Sequence, residues 1–225
     1  MSTASRAESI SSQRDAARVV AGGSTVEAVA GGGAVVLAIL GLSGVSPAFL
    51  AAIATIAVGA ALLSEGGAIA TRYSELVSEL SESSMDDTEL GAGMTTEFLG
   101  GIAGIVLGIL ALLGVSRWSL MSVAAIVFGG SLLIGSTLVS ELNHASLAAR
   151  ARRHGKEMHG VARQAVKAAV GTQVLVGLGA AVLGILALIG LTPHVLTLVA
   201  FLSVAGATVL SGSAVSARFQ RAVSA

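Results

Sequence analysis

One nine-residue pattern occurs three times in this chain and constrains its fold more than any other feature. It reads V-L-G-I-L-A-L-L-G from Val106 to Gly114 and V-L-G-I-L-A-L-I-G from Val182 to Gly190, and these copies match at eight of nine positions. A third copy, from Val36 to Gly44, matches the first at six of nine. The copies are therefore spread along the whole chain at nearly even spacing. Repetition of this kind predicts three copies of one structural unit.

The composition indicates that these units lie in a membrane. Hydrophobic residues make up 54% of the chain and charged residues only 12%, whereas a soluble domain carries about 25% charged residues. The chain has no cysteine, which excludes disulfides, thiol catalysis and cysteine-ligated metals. Its formal net charge is zero, so charge gives no reason to expect nucleic acid as a partner. The polar stretch from Met1 to Thr25 lacks the apolar core of a signal peptide, so we expect the first apolar segment to stay as an anchor.

Each unit consists of two apolar segments joined by a turn of four or five residues. Segments of about 20 apolar residues cross a bilayer as helices, and so short a turn makes the two helices antiparallel neighbours. The sequence therefore predicts an all-α integral membrane protein with six transmembrane helices in three tandem antiparallel hairpins. The expected segments are a polar tail (1–25), hairpin repeats at 26–70, 96–142 and 172–216, an acidic connector (71–95), a basic connector (143–171) and a second tail (217–225).

The basic residues predict how the chain is oriented. Twelve of the 13 lysines and arginines lie in the tails or the two connectors, and only Arg117 lies in a hairpin turn. The positive-inside rule then places both termini and both connectors in the cytoplasm, with the three turns outside. We expect Arg117 and Trp118 to anchor the outer interface and the protein to lie in a bacterial inner membrane. The connectors are expected to form interfacial helices or extensions of the preceding spans.

Three polar residues occupy equivalent positions near the start of each hairpin. Glu27, Glu97 and Gln173 are separated by the same intervals as the copies of the nine-residue pattern. One interpretation is helix capping, since a carboxylate or amide in the first turn satisfies free N–H groups. The other is a polar ring around a pseudo-threefold axis that binds a proton or another cation at the cytoplasmic mouth.

Glu65 is the one acid well inside an apolar segment. An ionisable residue in a membrane span is a candidate functional residue, and we include Glu65 with Glu27, Glu97 and Gln173 as candidate proton or ion residues. Its counterparts in the other repeats fall beside Ser136 and Gly212. The alternative is polar packing near the headgroups.

Small residues recur on one face of the first helix of each hairpin. Gly100, Gly104 and Gly108 follow one another at four-residue spacing, and Ala180 and Gly184 are counterparts in the third repeat. Such faces let helices approach closely in lipid. We expect these faces to pack against other helices of the same chain. The alternative is that they form a subunit interface, and hence an oligomer.

No motif of an enzyme is present. The chain contains no phosphate-binding loop, no G-x-S-x-G and no H-E-x-x-H. The sequence therefore predicts a protein with no catalytic residues, no metal site and no cofactor.

The three hairpins resemble the short-repeat membrane family that includes the HdeD acid-resistance proteins. The resemblance covers about residues 26–216 and is carried by the V-L-G-I-L-A-L pattern at Val106 and Val182 and by Pro47 and Pro193 at hairpin turns. It implies an inner-membrane protein linked to acid or envelope stress, with no reaction to catalyse. The first hypothesis is therefore a non-enzymatic protein that is related to stress or organises the membrane. Two alternatives stay open. One is a small proton or ion channel or transporter along the pseudo-threefold axis. The other is a subunit of a larger membrane complex that binds protein partners through its charged connectors.

Overall fold

The computed structural model describes the backbone of residues 26–79, 87–151 and 159–223, and the side chains of residues 26–67, 96–136 and 171–211. The predicted tail at 1–25, the centre of each connector and residues 224–225 lie outside the described residues. The charged side chains of both connectors lie outside them too, so docking through the connectors stays a prediction.

The described part of the chain forms six helices joined by turns and contains no strand. Their bounds are α1 Val26–Leu42, α2 Pro47–Glu79, α3 Asp87–Leu112, α4 Arg117–Ala151, α5 His159–Leu188 and α6 Pro193–Val223. Four segments are long and apolar enough to cross a membrane: Pro47–Gly67, Arg117–Ser136, Gly171–Leu188 and Pro193–Ser211. The apolar parts of α1 and α3, Val26–Leu42 and Thr96–Leu112, are shorter. The length and apolar composition of the four long segments indicate a membrane protein.

The turns that follow α1, α3 and α5 share one backbone geometry. Each places a glycine at positive φ, with φ 93° at Gly44, 92° at Gly114 and 95° at Gly190. The glycine N–H donates to the carbonyl three residues back, and the next N–H donates to the carbonyl five residues back. This is the Schellman motif, in which glycine adopts a conformation that a Cβ would strain. The next helix starts three positions after the glycine, so the chain reverses direction within a few residues.

Three helices form the interior, and the other three lie outside them. Helices α2, α4 and α6 contact one another, α3 packs against both α2 and α4, and α5 packs against both α4 and α6. The buried apolar side chains come mainly from the inner three helices. The outer helices expose valine, isoleucine and leucine along their lengths, for example Val29, Ile102 and Leu175. An apolar outer surface of this extent suits contact with lipid.

Small residues let the outer helices approach the inner ones closely. A Cβ added at Gly101 of α3 would lie 2.7 Å from the carbonyl oxygen of Gly59 in α2. One at Gly177 of α5 would lie 2.8 Å from the oxygen of Gly129 in α4, and one at Gly31 of α1 would lie 3.2 Å from the oxygen of Ala205 in α6. Each contact joins a different pair of helices across hairpins, and the third brings α1 against α6.

The predicted small-residue face packs within the chain. Cβ atoms at Gly100 and Gly104 would clash with Ser131 and Phe128, both in α4. Those at Gly108 and Gly184 would meet Ile56 and Ile126 at 2.6 Å and 2.8 Å, and Ala180 is fully buried. The small residues of α3 therefore pack against α2 and α4, and Gly184 of α5 packs against α4.

Several helices extend further than the sequence pattern predicts. The pattern places helix starts near Glu97 and Gln173, but α3 begins at Asp87 and α5 begins at His159. Capping of these helices by Glu97 and Gln173 is therefore wrong, because both residues lie within continuous helix. Arg117, expected in a turn, lies with Trp118 in the first turn of α4. In the described part, the connectors extend the neighbouring helices.

Candidate functional site

The three predicted carboxylates lie together at the end of the bundle opposite the turns. Glu27 comes from α1, Glu65 from α2 and Glu97 from α3, and we call these three residues the carboxylate cluster. The carboxyl groups lie within electrostatic range of one another. The chain from Glu27 to the turn after α1 corresponds to about 24 Å of helix. The helices α2 to α6 continue beyond this level, so the cluster lies inside the length of the bundle.

Two neutral side chains donate hydrogen bonds to the carboxylate cluster. The Ser211 hydroxyl of α6 donates to Oε1 of Glu27, and Nε2 of Gln173 in α5 donates to Oε1 of Glu65 at 3.4 Å. These contacts connect residues that are 184 and 108 positions apart. Helices from all three predicted hairpins therefore meet at this site.

Glu97 is the member of the cluster with the poorest polar surroundings. Its side chain is 0% exposed, and neither carboxyl oxygen has a hydrogen-bond partner. It packs against Gly135 of α4, where an added Cβ would clash with Oε1 of Glu97. The missing side chain at Gly135 is what gives this carboxyl group its space. Oε2 of Glu65 is also buried without a partner.

Other buried polar side chains in the described part form hydrogen bonds with their own helices. The hydroxyl groups of Thr55, Ser122, Ser131 and Thr208 each donate to a carbonyl three or four residues earlier. Among described residues, the only buried side-chain oxygens without a partner belong to Glu65 and Glu97. An unpartnered buried oxygen costs about 1–3 kcal/mol, and more if it is charged, so the cluster is the place where a ligand would stabilise the fold.

No cationic side chain balances the cluster within the described side chains. These contain five titratable residues, of which Arg117 and His194 are the two basic ones. Both lie beside the turns, at the other end of the bundle. Among the described residues no group of three histidines or acids is arranged to hold a metal ion.

The end of the bundle near the turns carries an aromatic pair. The rings of Trp118 and His194 meet edge to face, with centroids 6.0 Å apart. The Trp118 side chain is half-buried, while Arg117 and His194 are exposed. The pair starts α4 and α6, so it joins two of the inner helices.

Between the two ends, the axis of the bundle is filled by side chains. Phe128 and Phe201 contact edge to face with centroids 6.0 Å apart and an interplanar angle of 65°. Val58, Leu62 and Leu132 are buried in the same core. Apolar side chains thus pack against one another between the carboxylate cluster and the turns.

Two residues of the site were missed by reasoning from the sequence. That reasoning places the counterparts of Glu65 beside Ser136 and Gly212 and does not name them, and the intervals between the repeats identify them as Gly135 and Ser211. These are the residues that contact Glu97 and Glu27. Strict use of the intervals would have found both. The pairing of Gln173 with Glu65 had no signal in the sequence.

Comparison of the chain with family models, curated proteins and solved structures gave no match.

Proposed function

We propose that this chain is a non-enzymatic protein of the bacterial inner membrane, with six spans in three pseudo-equivalent hairpins, that acts without conducting ions. The closed axis is the observation that supports this function most directly. Phe128 and Phe201 are both 0% exposed and lie between the carboxylate cluster and the turns. A channel needs a hydrated or polar path, and the packed core offers none.

Six spans are supported by the equivalent turns and helix contacts. The apolar part of α3, Thr96–Leu112, corresponds to about 26 Å of helix against a hydrocarbon core of about 30 Å. The helix itself begins earlier, at Asp87. A slightly short apolar stretch can be accommodated by local thinning of the bilayer or by polar residues that reach the interface.

The setting of acid or envelope stress rests on the resemblance to the HdeD family and on the buried carboxyl groups. Carboxyl groups inside a bundle respond to proton concentration, and the two described donors to this cluster, Gln173 and Ser211, are neutral. The proposal also places both termini in the cytoplasm. It includes protein partners in addition to the lipid bilayer.

Liposomes that contain a pH-sensitive dye test the proposal. We expect that the reconstituted full chain leaves a proton gradient intact until a proton carrier is added at the end as a control. Proton flux that disappears in the Glu65→Gln variant would overturn the proposal in favour of a channel or transporter.

A proton-coupled channel or transporter is the second candidate. The observation in its favour is the buried, unpartnered carboxyl group of Glu97, since ionisable groups inside a membrane commonly belong to proton or ion pathways. It requires a second conformation in which Phe128 and Phe201 separate. The test is proton flux in a double variant, Phe128→Ala with Phe201→Ala, compared with the wild type. If the wild type shows no flux and the double variant does, the aromatic pair seals the axis, as the non-conducting function expects.

A further inference from the structure

We propose that the carboxylate cluster binds protons as one shared site, and that these protons hold together the end of the bundle opposite the turns. The proposal deepens the proposed function and rests on it for the membrane setting. The geometry that carries it is the burial of Glu97 without a hydrogen-bond partner, within electrostatic range of the carboxyl groups of Glu27 and Glu65.

No described side chain balances the charge that the cluster would carry if it were ionised. Three ionised carboxylates would place three like charges in an apolar bundle, where each unpaired buried charge is costly. The described side chains that face them from α4, α5 and α6 are Gly135, Gln173 and Ser211, and none of these titrates. Among the described side chains, Glu27, Glu65 and Glu97 are thus the titratable groups that α1, α2 and α3 bring to the site. Since no described side chain supplies a positive charge here, we take the charge of the cluster to be removed by protons or by a bound cation.

The pattern of hydrogen bonds favours protons. A carboxylate only accepts hydrogen bonds, while a protonated carboxyl group also donates one. Among the contacts described above, the two donors serve Glu27 and Glu65, and Glu97 receives none. Bound protons add the donors that the site lacks. A metal would need several converging ligands, and no such group occurs among the described residues.

The protons also join the helices. Each of the six helices contributes one residue that either belongs to the carboxylate cluster or contacts it. Loss of the protons would leave like charges on α1, α2 and α3, which would repel one another and separate these helices. The site therefore links proton concentration to the packing of one end of the bundle. Because the cluster acts as a unit, its protons belong to the group and not to a single residue.

Infrared spectroscopy of the full chain in liposomes tests the proposal, since a protonated carboxyl group has its own C=O stretching band. At pH 7 we expect this band in the wild type, a decrease as the pH rises, and a smaller band in the Glu97→Gln variant. The His194→Gln variant changes the basic titratable group at the other end and should keep the wild-type band. If Glu97→Gln fails to fold, Glu65→Gln removes a carboxyl group from the same cluster and should have the same effect.

Two results would overturn the proposal. One is the absence of a protonated carboxyl band at pH 7, or a band that neither glutamine variant reduces. The other is a band that is present in choline chloride but vanishes in sodium chloride, which would identify sodium as the ligand. The dye experiment measures flux and this one measures protonation, so the proposed function and the proton site fail separately.

Discussion

At the scale of single residues, Glu97 differs from the buried serines and threonines of the described core. Their hydroxyl groups donate to carbonyl oxygens of their own helix, so their burial costs little. Glu97 has no such partner and is 0% exposed. An apolar side chain of similar size would cost less free energy to bury at that position. Its carboxyl group is therefore best explained by a ligand that the protein binds there.

The cluster makes stability depend on pH. If the native state holds protons that the unfolded chain releases, stability is highest in acid and falls as the pH rises, by at most about 1.4 kcal/mol per pH unit for each such proton. We expect the purified full chain in detergent to unfold at a higher temperature at pH 5.5 than at pH 8.5. The Glu97→Gln variant should show a smaller difference. A wild-type protein that is more stable at pH 8.5 would contradict this expectation.

Two adjacent glycines of α4 provide a matched test of helix packing. A Cβ at Gly129 would lie 2.5 Å from the carbonyl oxygen of Gly177 and 2.6 Å from the nitrogen of Ala181, whereas one at Gly130 would meet nothing within 4 Å. Overpacking typically costs about 1–3 kcal/mol, so Gly129→Ala should destabilise the protein by that amount. Gly130→Ala should be neutral or stabilising, because alanine favours a helix by about 1 kcal/mol over glycine. Thermal unfolding of the two variants measures the difference. Equal effects would mean that α4 and α5 do not pack at Gly129.

At the scale of the secondary-structure elements, the three turns define the hairpins. The positive φ of 92° at Gly114 is strained for alanine, and asparagine tolerates positive φ better than other non-glycine residues. Gly114→Ala should therefore reduce the unfolding free energy by about 1–2 kcal/mol, and Gly114→Asn by less. The two variants are compared by thermal unfolding. An alanine variant as stable as the wild type would show that the turn can adopt another geometry.

The sequence predicted elements better than it predicted their partners. Repeated glycines and short polar links predicted where the chain reverses, because local backbone geometry decides the turns. Helix starts were placed too late, at Thr96 and Thr172, since hydropathy marks the apolar part of a helix and not its polar extension. The contact between Gly59 and Gly101 and the bond from Gln173 to Glu65 join distant parts of the chain. Such contacts depend on how the hairpins pack, which the local pattern does not encode.

At the scale of the whole molecule, the same kind of contact occurs at three places. Gly59 meets Gly101, Gly129 meets Gly177, and Ala205 meets Gly31, and these pairs are related by the intervals of the repeat. The inner helices α2, α4 and α6 contact one another, and the contact of α1 with α6 closes the arrangement. The arrangement favours three equivalent hairpins around one axis, with the carboxylate cluster at one end and the turns at the other.

Single cysteines test this arrangement directly, because the chain has no cysteine of its own. Val45, Val115 and Leu191 are equivalent turn residues with exposures of 56%, 52% and 52%. In intact bacterial cells that make the full chain, Val45→Cys, Val115→Cys and Leu191→Cys should all react with a membrane-impermeant maleimide added from outside. Ser84→Cys, in the acidic connector, should react only after the membrane is permeabilised. If six spans and three equivalent hairpins are correct, the three turns react alike from the outside. A turn that reacts only after permeabilisation would contradict the account.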